Sequence, residues 1–133
     1  MDSIKIQIPS IQENIRIVES FIDNAKEKYN LEDDIYGNIM IAVTESVVNA
    51  IIHGNENEKS KNVNLKLIFR ESSISFLVED EGKGFDYKNL PDPTAPENIS
   101  KPGGRGIFLM KNLCDEVSFS SGGNEVEMTF YLS

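Results

Sequence analysis

The sequence predicts an α+β fold in which helices lie on one face of a mixed, mainly antiparallel sheet, giving a two-layer α/β sandwich. Three observations carry that expectation. The order of elements reads strand, helix, helix, strand, strand, a long aperiodic stretch, helix, strand, strand, without the strand-helix-strand alternation that builds a doubly wound parallel sheet. The chain has 133 residues, 39% of them hydrophobic, enough for a single domain over residues 1–133 with an ordinary core. One cysteine, Cys114, and one histidine, His53, exclude a disulfide framework and a structural zinc set.

Each element has its own signal. Residues 4–8, IKIQI, alternate apolar and polar side chains as a half-buried strand does, and Pro9 closes the run. Ser10 and Glu13 have capping-box spacing, and Ile11, Ile15, Val18, Phe21, Ile22, Ala25 and Tyr29 then recur at helical spacing. A second helix is expected from about Leu31 to His53, with Asn30 as its cap and Gly54 as its stop. Residues 63–69, VNLKLIF, and 74–80, ISFLVED, read as an antiparallel hairpin about the Glu71-Ser72-Ser73 turn. From Gly82 to Gly106 the pattern dissolves: this stretch holds five of the nine glycines and four of the five prolines. Connections of that length inside a compact domain are usually functional lids or disordered. A short helix, about Gly106 to Leu113, and a hairpin of Glu116 to Ser120 with Val126 to Leu132 complete the chain.

Charge narrows the function. With 22 acidic against 13 basic residues the net charge is -9, and the scattered Lys and Arg offer no basic patch, so nucleic acid is not the expected partner. The N-terminal MDSIKIQIPS lacks the pattern of a signal peptide, and no apolar run approaches the ~18 residues of a membrane span. A cytoplasmic location without membrane contact is the expectation. Such an acidic chain should also repel anionic ligands.

Three motifs stand out. In IAVTESVVNAII, residues 41–52, Glu45 and Asn49 are the only strongly polar side chains, one helical turn apart on one face, with His53 a further turn along. A carboxylate at the edge of a core must be paired, hydrated or used. In the strand ISFLVED, Asp80 shares the phase of Ile74, Phe76 and Val78 and so points with the buried residues. It is an acceptor awaiting a donor, either an exocyclic amine of a base or a backbone amide of its own turn. Gly82 and Gly84 after it would permit positive backbone angles and the close approach of a flat ligand. Gly103-Gly104-Arg105-Gly106 opens the short helix; such a start exposes N–H groups that attract phosphate, and equally suits a flexible hinge. No Walker loop, dinucleotide-binding fingerprint or His-Glu-x-x-His metal motif is present.

Taken together, ESVVNAIIHGN, EDEGKGF and GGRGIFLMKNLCDEV, in this order and over nearly the whole chain, resemble the GHKL (Bergerat-fold) ATP-binding domains. Among these the chain is most similar to the bacterial anti-sigma-factor serine/threonine kinases, where a Glu-x-x-x-Asn-Ala-x-x-His-Gly helix and a Gly-x-Gly-(Leu/Ile) helix start are typical. The resemblance implies ATP and Mg2+ as cofactors. It makes Asn49 a side-chain ligand of Mg2+, which suits a hard cation that keeps several waters and bridges phosphates. It places Glu45 beside the terminal phosphate, where it would take the proton of an attacking serine hydroxyl or, in an ATPase, orient water. Asp80 would bond the adenine amino group, with Gly82 and Gly84 giving the base room and Phe85 in the same box. Residues from about 86 to 103 become the ATP lid. Gly103, Gly104, Gly106 and Ile107 become the phosphate cradle, and Arg105 is equally a residue steadying transferred charge or a solvated lid residue. Where the family often carries Thr after a glycine of the last hairpin, Gly123 is followed here by Asn124, whose amide can substitute at the adenine site.

The resemblance also sorts the activities. A sensor kinase needs a separate helical hairpin with a phosphoaccepting histidine, whereas His53 belongs to the nucleotide helix; the ATPase machines need a transducer domain, also missing. What remains is an ATP-Mg-dependent kinase that phosphorylates a STAS-type anti-sigma antagonist and sequesters a sigma factor. The alternative is a non-catalytic or weakly hydrolysing module that acts as a nucleotide-dependent protein-binding switch. Homodimers are frequent in the family, but no sequence feature here decides the matter.

Overall fold

A computed structural model describes residues 2–82, 110–120 and 124–132. Strand β1 (Asp2–Pro9) leads through a short 3-10 turn (Gln12–Asn14) into helix α1 (Ile15–Tyr29). Helix α2 (Asp33–Asn49) continues into a π turn (Ala50–Gly54), followed by β2 (Asn62–Phe69), β3 (Ser73–Glu79), β4 (Glu116–Ser120) and β5 (Glu125–Tyr131). Residues 110–113 are helical. The five strands form one sheet in the order β1-β2-β3-β5-β4, and every pairing is antiparallel.

Period-two alternation places one face of this sheet in the core. Across the three central strands Leu67, Phe76 and Met128 are in register, as are Leu65, Val78 and Val126. Of these six, only Val126, at 7%, exceeds 3% exposure. Phe76 and Phe130 meet edge to face with centroids 6.3 Å apart, an arrangement that aligns a ring's positive rim with its neighbour's negative face. Val18, Ile22 and Ala25 of α1 and Ile39, Val43, Val47 and Ile51 of the second helical segment recur at three- and four-residue spacing and close over the sheet.

The helical segment Asp33–Gly54 spans 22 residues and contains an 18-residue window of mean hydropathy 1.5, which by length and composition alone would pass for a membrane span. One face of it packs against protein instead: Ile39, Ala42, Val43, Val47 and Ile51 are all 0% exposed, whereas Ile41 on the opposite side is exposed. A helix sandwiched between another helix and a sheet must be apolar over most of its girth, so hydropathy alone does not separate it from a membrane span.

Helix boundaries differ from those read off the sequence in two instructive places. Asn30 is not the cap of α2; it ends α1 in the left-handed conformation (φ 52, ψ 52), with Glu32 as the residue before α2. The Leu31 N–H then reaches back to the Lys26 carbonyl at 3.1 Å, the six-to-one bond of a Schellman motif, and Leu31 tucks into the core. Nor does Ser10 cap α1. Its hydroxyl donates to the Lys61 carbonyl at 2.8 Å and accepts from Asn55 Nδ2 at 2.8 Å, tying the end of β1 to the segment before β2. With Ser10 only 1% exposed, a partner outside the helix outcompetes the cap.

These contacts distinguish two substitutions that a capping box would make equivalent. Ser10→Ala leaves buried groups unpaired and is expected to cost about 1–3 kcal/mol, whereas Glu13→Ala should stay within about 0.5 kcal/mol. Urea denaturation of both variants measures the difference; a comparable loss at Glu13 would restore the cap.

Candidate functional site

The site is assembled where the end of the second helical segment meets the end of β3. Glu45 and Asn49 lie one turn apart on α2, as their spacing requires. Both are half-buried, and neither side chain has a hydrogen bond or ion pair among the described residues. For Asn49 this is costly: its Nδ2 is buried without a partner.

Beyond Asn49 the helix widens. Five-residue bonding in the π turn, seen in the 2.8 Å bond from the Asn55 N–H to the Ala50 carbonyl, changes the phase of the face. The residue one turn on from Asn49 is therefore Gly54 rather than His53, and His53 is exposed. A regular helix, as expected from the sequence, would place His53 there.

Gly54 faces Asp80. A methyl group at residue 54 would lie 2.3 Å from Asp80 Oδ2, so the carboxylate packs against bare backbone. The inward phase expected for Asp80 is what brings it there. Its Oδ1 accepts the Gly82 N–H at 2.8 Å. Its own N–H donates to the Asn124 carbonyl at 2.9 Å, and Asn124 Nδ2 donates to the Asp80 carbonyl at 3.2 Å. Both alternatives left by the sequence thus bear on one group: a turn amide engages Oδ1, while Oδ2 has no recorded partner among the described residues. Gly82 is needed for space of a particular kind, since a methyl there would meet the Gly54 carbonyl at 2.1 Å. Its φ is not left-handed, and the room it makes is taken by the helix end.

Asn124 presents a second orphan. With Nδ2 engaged by a carbonyl, the amide cannot be flipped, and Oδ1 is buried without a partner. Gly84, Phe85, Gly103, Gly104, Arg105, Gly106, Ile107 and the expected lid lie outside the described residues.

One residue at the heart of this arrangement carried no signal in the sequence. Asn55 is 0% exposed, and its amide is saturated: Nδ2 donates to Ser10 Oγ at 2.8 Å and to the Asn62 carbonyl at 3.0 Å, while Oδ1 accepts the Glu81 N–H at 2.8 Å. An Asn after a helix-ending glycine reads as ordinary loop chemistry; only the fold shows that three other chain segments converge on it. Glu81 in turn accepts the Asn62 N–H. Burial, reinforced by Asp115, pushes the Cys114 thiol up to about 12, which disfavours its thiolate.

No group of three or more His, Cys, Asp or Glu among the described residues could hold a metal by itself. A hard cation here would rest on the Asn49 amide oxygen together with oxygens of the ligand, while the orphaned Nδ2 is a donor that an anionic ligand oxygen, not the cation, would satisfy.

Burial holds the Asp80 carboxyl above its ordinary 3.8, opposed by the Gly82 N–H and by Lys61 and reinforced by Glu79. The fold therefore favours the protonated acid: that contribution is complete below the ordinary value and is lost as pH rises through the raised one. Asp80→Asn keeps an acceptor for Gly82 without the charge. Urea midpoints should show wild-type stability falling relative to Asp80→Asn across the acid range above pH 3.8. Parallel pH profiles would mean that the carboxylate is not strained by burial.

Residues 8–130 match the family model of the histidine kinase-like ATPase domain. The serine-protein kinase RsbW of Staphylococcus aureus strain JH9 is 29% identical over 139 residues, covering 98% of this chain and 87% of that protein, and RsbW of strain Newman matches equally. Among solved structures, the RsbU and RsbW domains of Rv1364c from Mycobacterium tuberculosis superpose with a TM-score of 0.67 at 14% identity, over 98% of this chain. That likeness concerns the fold, and the chain spans 32% of the length of the solved one. The chain belongs to the histidine kinase-like ATPase domain family and is related to the RsbW serine-protein kinases.

Proposed function

We propose that the protein is a magnesium- and ATP-dependent serine/threonine protein kinase of the anti-sigma-factor type. Its substrate would be a serine on a STAS-type anti-sigma antagonist, and its second partner a sigma factor or similar regulator, within the cytoplasm. The observation that carries the nucleotide reading is the identity of the two orphans. The buried side-chain polar atoms without a partner among the described residues belong to Asn49 and Asn124, the two amides expected at the metal and adenine ends of the site. Native proteins rarely leave such groups unpaired, and a bound ligand is one of the few things that completes them.

When bound, magnesium-ATP supplies the transferable phosphoryl group and a cation that offsets its charge. Asn49 would hold the metal through its amide oxygen. Asp80 would accept from the exocyclic amine of adenine through the oxygen not engaged by Gly82, and Asn124 would offer a neighbouring acceptor. Glu45, with no partner among the described residues to neutralise it, would accept the serine hydroxyl proton. Gly84 and Phe85 would border the base, Gly103, Gly104, Gly106 and Ile107 would cradle phosphate, and Arg105 would face the transferred charge across a lid of about residues 86–103. Residues 1–133 would act as one nucleotide domain.

The RsbW relatives, by their description serine-protein kinases, support transfer over mere binding. A single-turnover assay with labelled ATP and the STAS partner tests it. Transfer of label to serine is expected; nucleotide-dependent binding without transfer would leave the partner-switch reading instead. Glu45→Ala should still bind magnesium-ATP while losing transfer by roughly 100-fold or more. Asp80→Asn should lose ATP-over-GTP preference, and chelating Mg2+ should abolish tight binding. Calorimetry on the purified protein reads both, and strong metal-independent ATP binding would contradict the role given to Asn49.

A further inference from the structure

We propose that Gly54 is a positioning residue for base recognition: its missing side chain is what sets the Asp80 carboxylate, and it links that carboxylate to the helix that carries Glu45 and Asn49. The proposal rests on the nucleotide reading of the site, but its geometry does not. A Cβ at residue 54 would lie 2.3 Å from Asp80 Oδ2, 2.4 Å from Cγ and 2.7 Å from Oδ1, overlapping the whole carboxylate. The backbone of Gly54 is not left-handed, so alanine can adopt it, and the three atoms nearest to its methyl all belong to the Asp80 carboxylate. That is not the role of a helix stop, which depends on a left-handed angle.

Asp80 has little room to yield. Its main chain is paired in both directions with Asn124, its Oδ1 is bonded to the Gly82 N–H, and the next residue is held through its N–H by Asn55. Asn55 directly follows Gly54, so the same turn that supplies the bare backbone also clamps the loop beyond Asp80. Gly82 completes the fit, because a methyl there would collide with the Gly54 carbonyl at 2.1 Å. A methyl at residue 54 would therefore drive the carboxylate into a displaced position, without its bond to Gly82. In that position it no longer presents an acceptor beside Asn124. Placing Gly54 one π turn beyond Asn49 means that helix displacement at the metal end and carboxylate displacement at the base end are coupled through one rigid segment.

The test compares wild type, Gly54→Ala, Asp80→Ala, the double variant Gly54→Ala/Asp80→Ala, and Gly37→Ala as a control, since nothing lies within 4 Å of a methyl at residue 37 of the same helix. Carbon-13 titration of the Asp80 carboxyl in ligand-free protein should show its pKa moving down towards 3.8 in Gly54→Ala and unmoved in Gly37→Ala. Calorimetry should show ATP affinity falling roughly 10- to 100-fold in Gly54→Ala, the range for a lost charge-assisted bond, with the ATP-over-GTP preference gone. If Gly54→Ala is too unstable to titrate, its melting temperature decides: removing the Asp80 carboxylate should relieve the clash, so the double variant melts near Asp80→Ala. An unmoved Asp80 titration with unchanged base preference would overturn the proposal, as would additive melting losses. A wild type that does not bind magnesium-ATP would instead overturn the nucleotide reading, while the titration and the melting cycle still decide whether Gly54 sets Asp80.

Discussion

The arrangement at this end of the molecule depends on one buried amide. Asn55 has no contact with water, so each of its hydrogen-bonding groups must find protein, and each does. Because amide bonds are directional, satisfying all of them at once fixes four pieces of chain relative to one another: the end of β1 at Ser10, the end of the second helical segment, the start of β2 at Asn62 and the loop after β3 at Glu81. In the low dielectric of the interior such a network is rigid when complete and costly when broken. The contact of Asp80 with Gly54 is possible only because those pieces are held in place.

The second helical segment reconciles two opposed demands. Packed between α1 and the sheet, it must be apolar over most of its circumference; as the base of a site it must also expose a carboxylate and an amide along one line. Glu45 and Asn49 meet the second demand at the edge of the buried face, and the π turn after them meets a third. By inserting one residue into the helical repeat, it turns the bare backbone of Gly54 towards β3 and His53 towards solvent. The remaining deficit, a buried amide nitrogen at Asn49 and a buried amide oxygen at Asn124, is polar and local. That bears on the difficulty raised by a net charge of -9: recognition of the proposed ligand would rely on neutral dipoles and one inward carboxylate, which the overall charge of the chain does not control.

Much of this was legible beforehand, and the reason is periodicity. Strand alternation and the three- and four-residue recurrence of apolar positions are local properties, so the β-strands, both helices, the layer arrangement and the inward phase of Asp80 could be read from the chain. The polar pair on α2 was visible for the same reason, as the exception to an otherwise apolar face. Chain ends of elements were less legible. Ser10 and Asn30 both have the composition of helix caps, and each serves elsewhere because a tertiary partner or a left-handed turn competed for it.

By itself, then, the sequence determined the element types, the α+β layering and which polar residues sit on buried faces, since these follow from patterns within a dozen residues. The tertiary structure alone decided what those residues meet. Gly54 abuts Asp80 across 26 positions of sequence, the same separation that Asn55 bridges to Glu81, and Asn124 clasps Asp80 from 44 positions away. No local pattern encodes such meetings, because hydrogen-bond direction and excluded volume act only once the folded chain has brought the partners within a few ångströms.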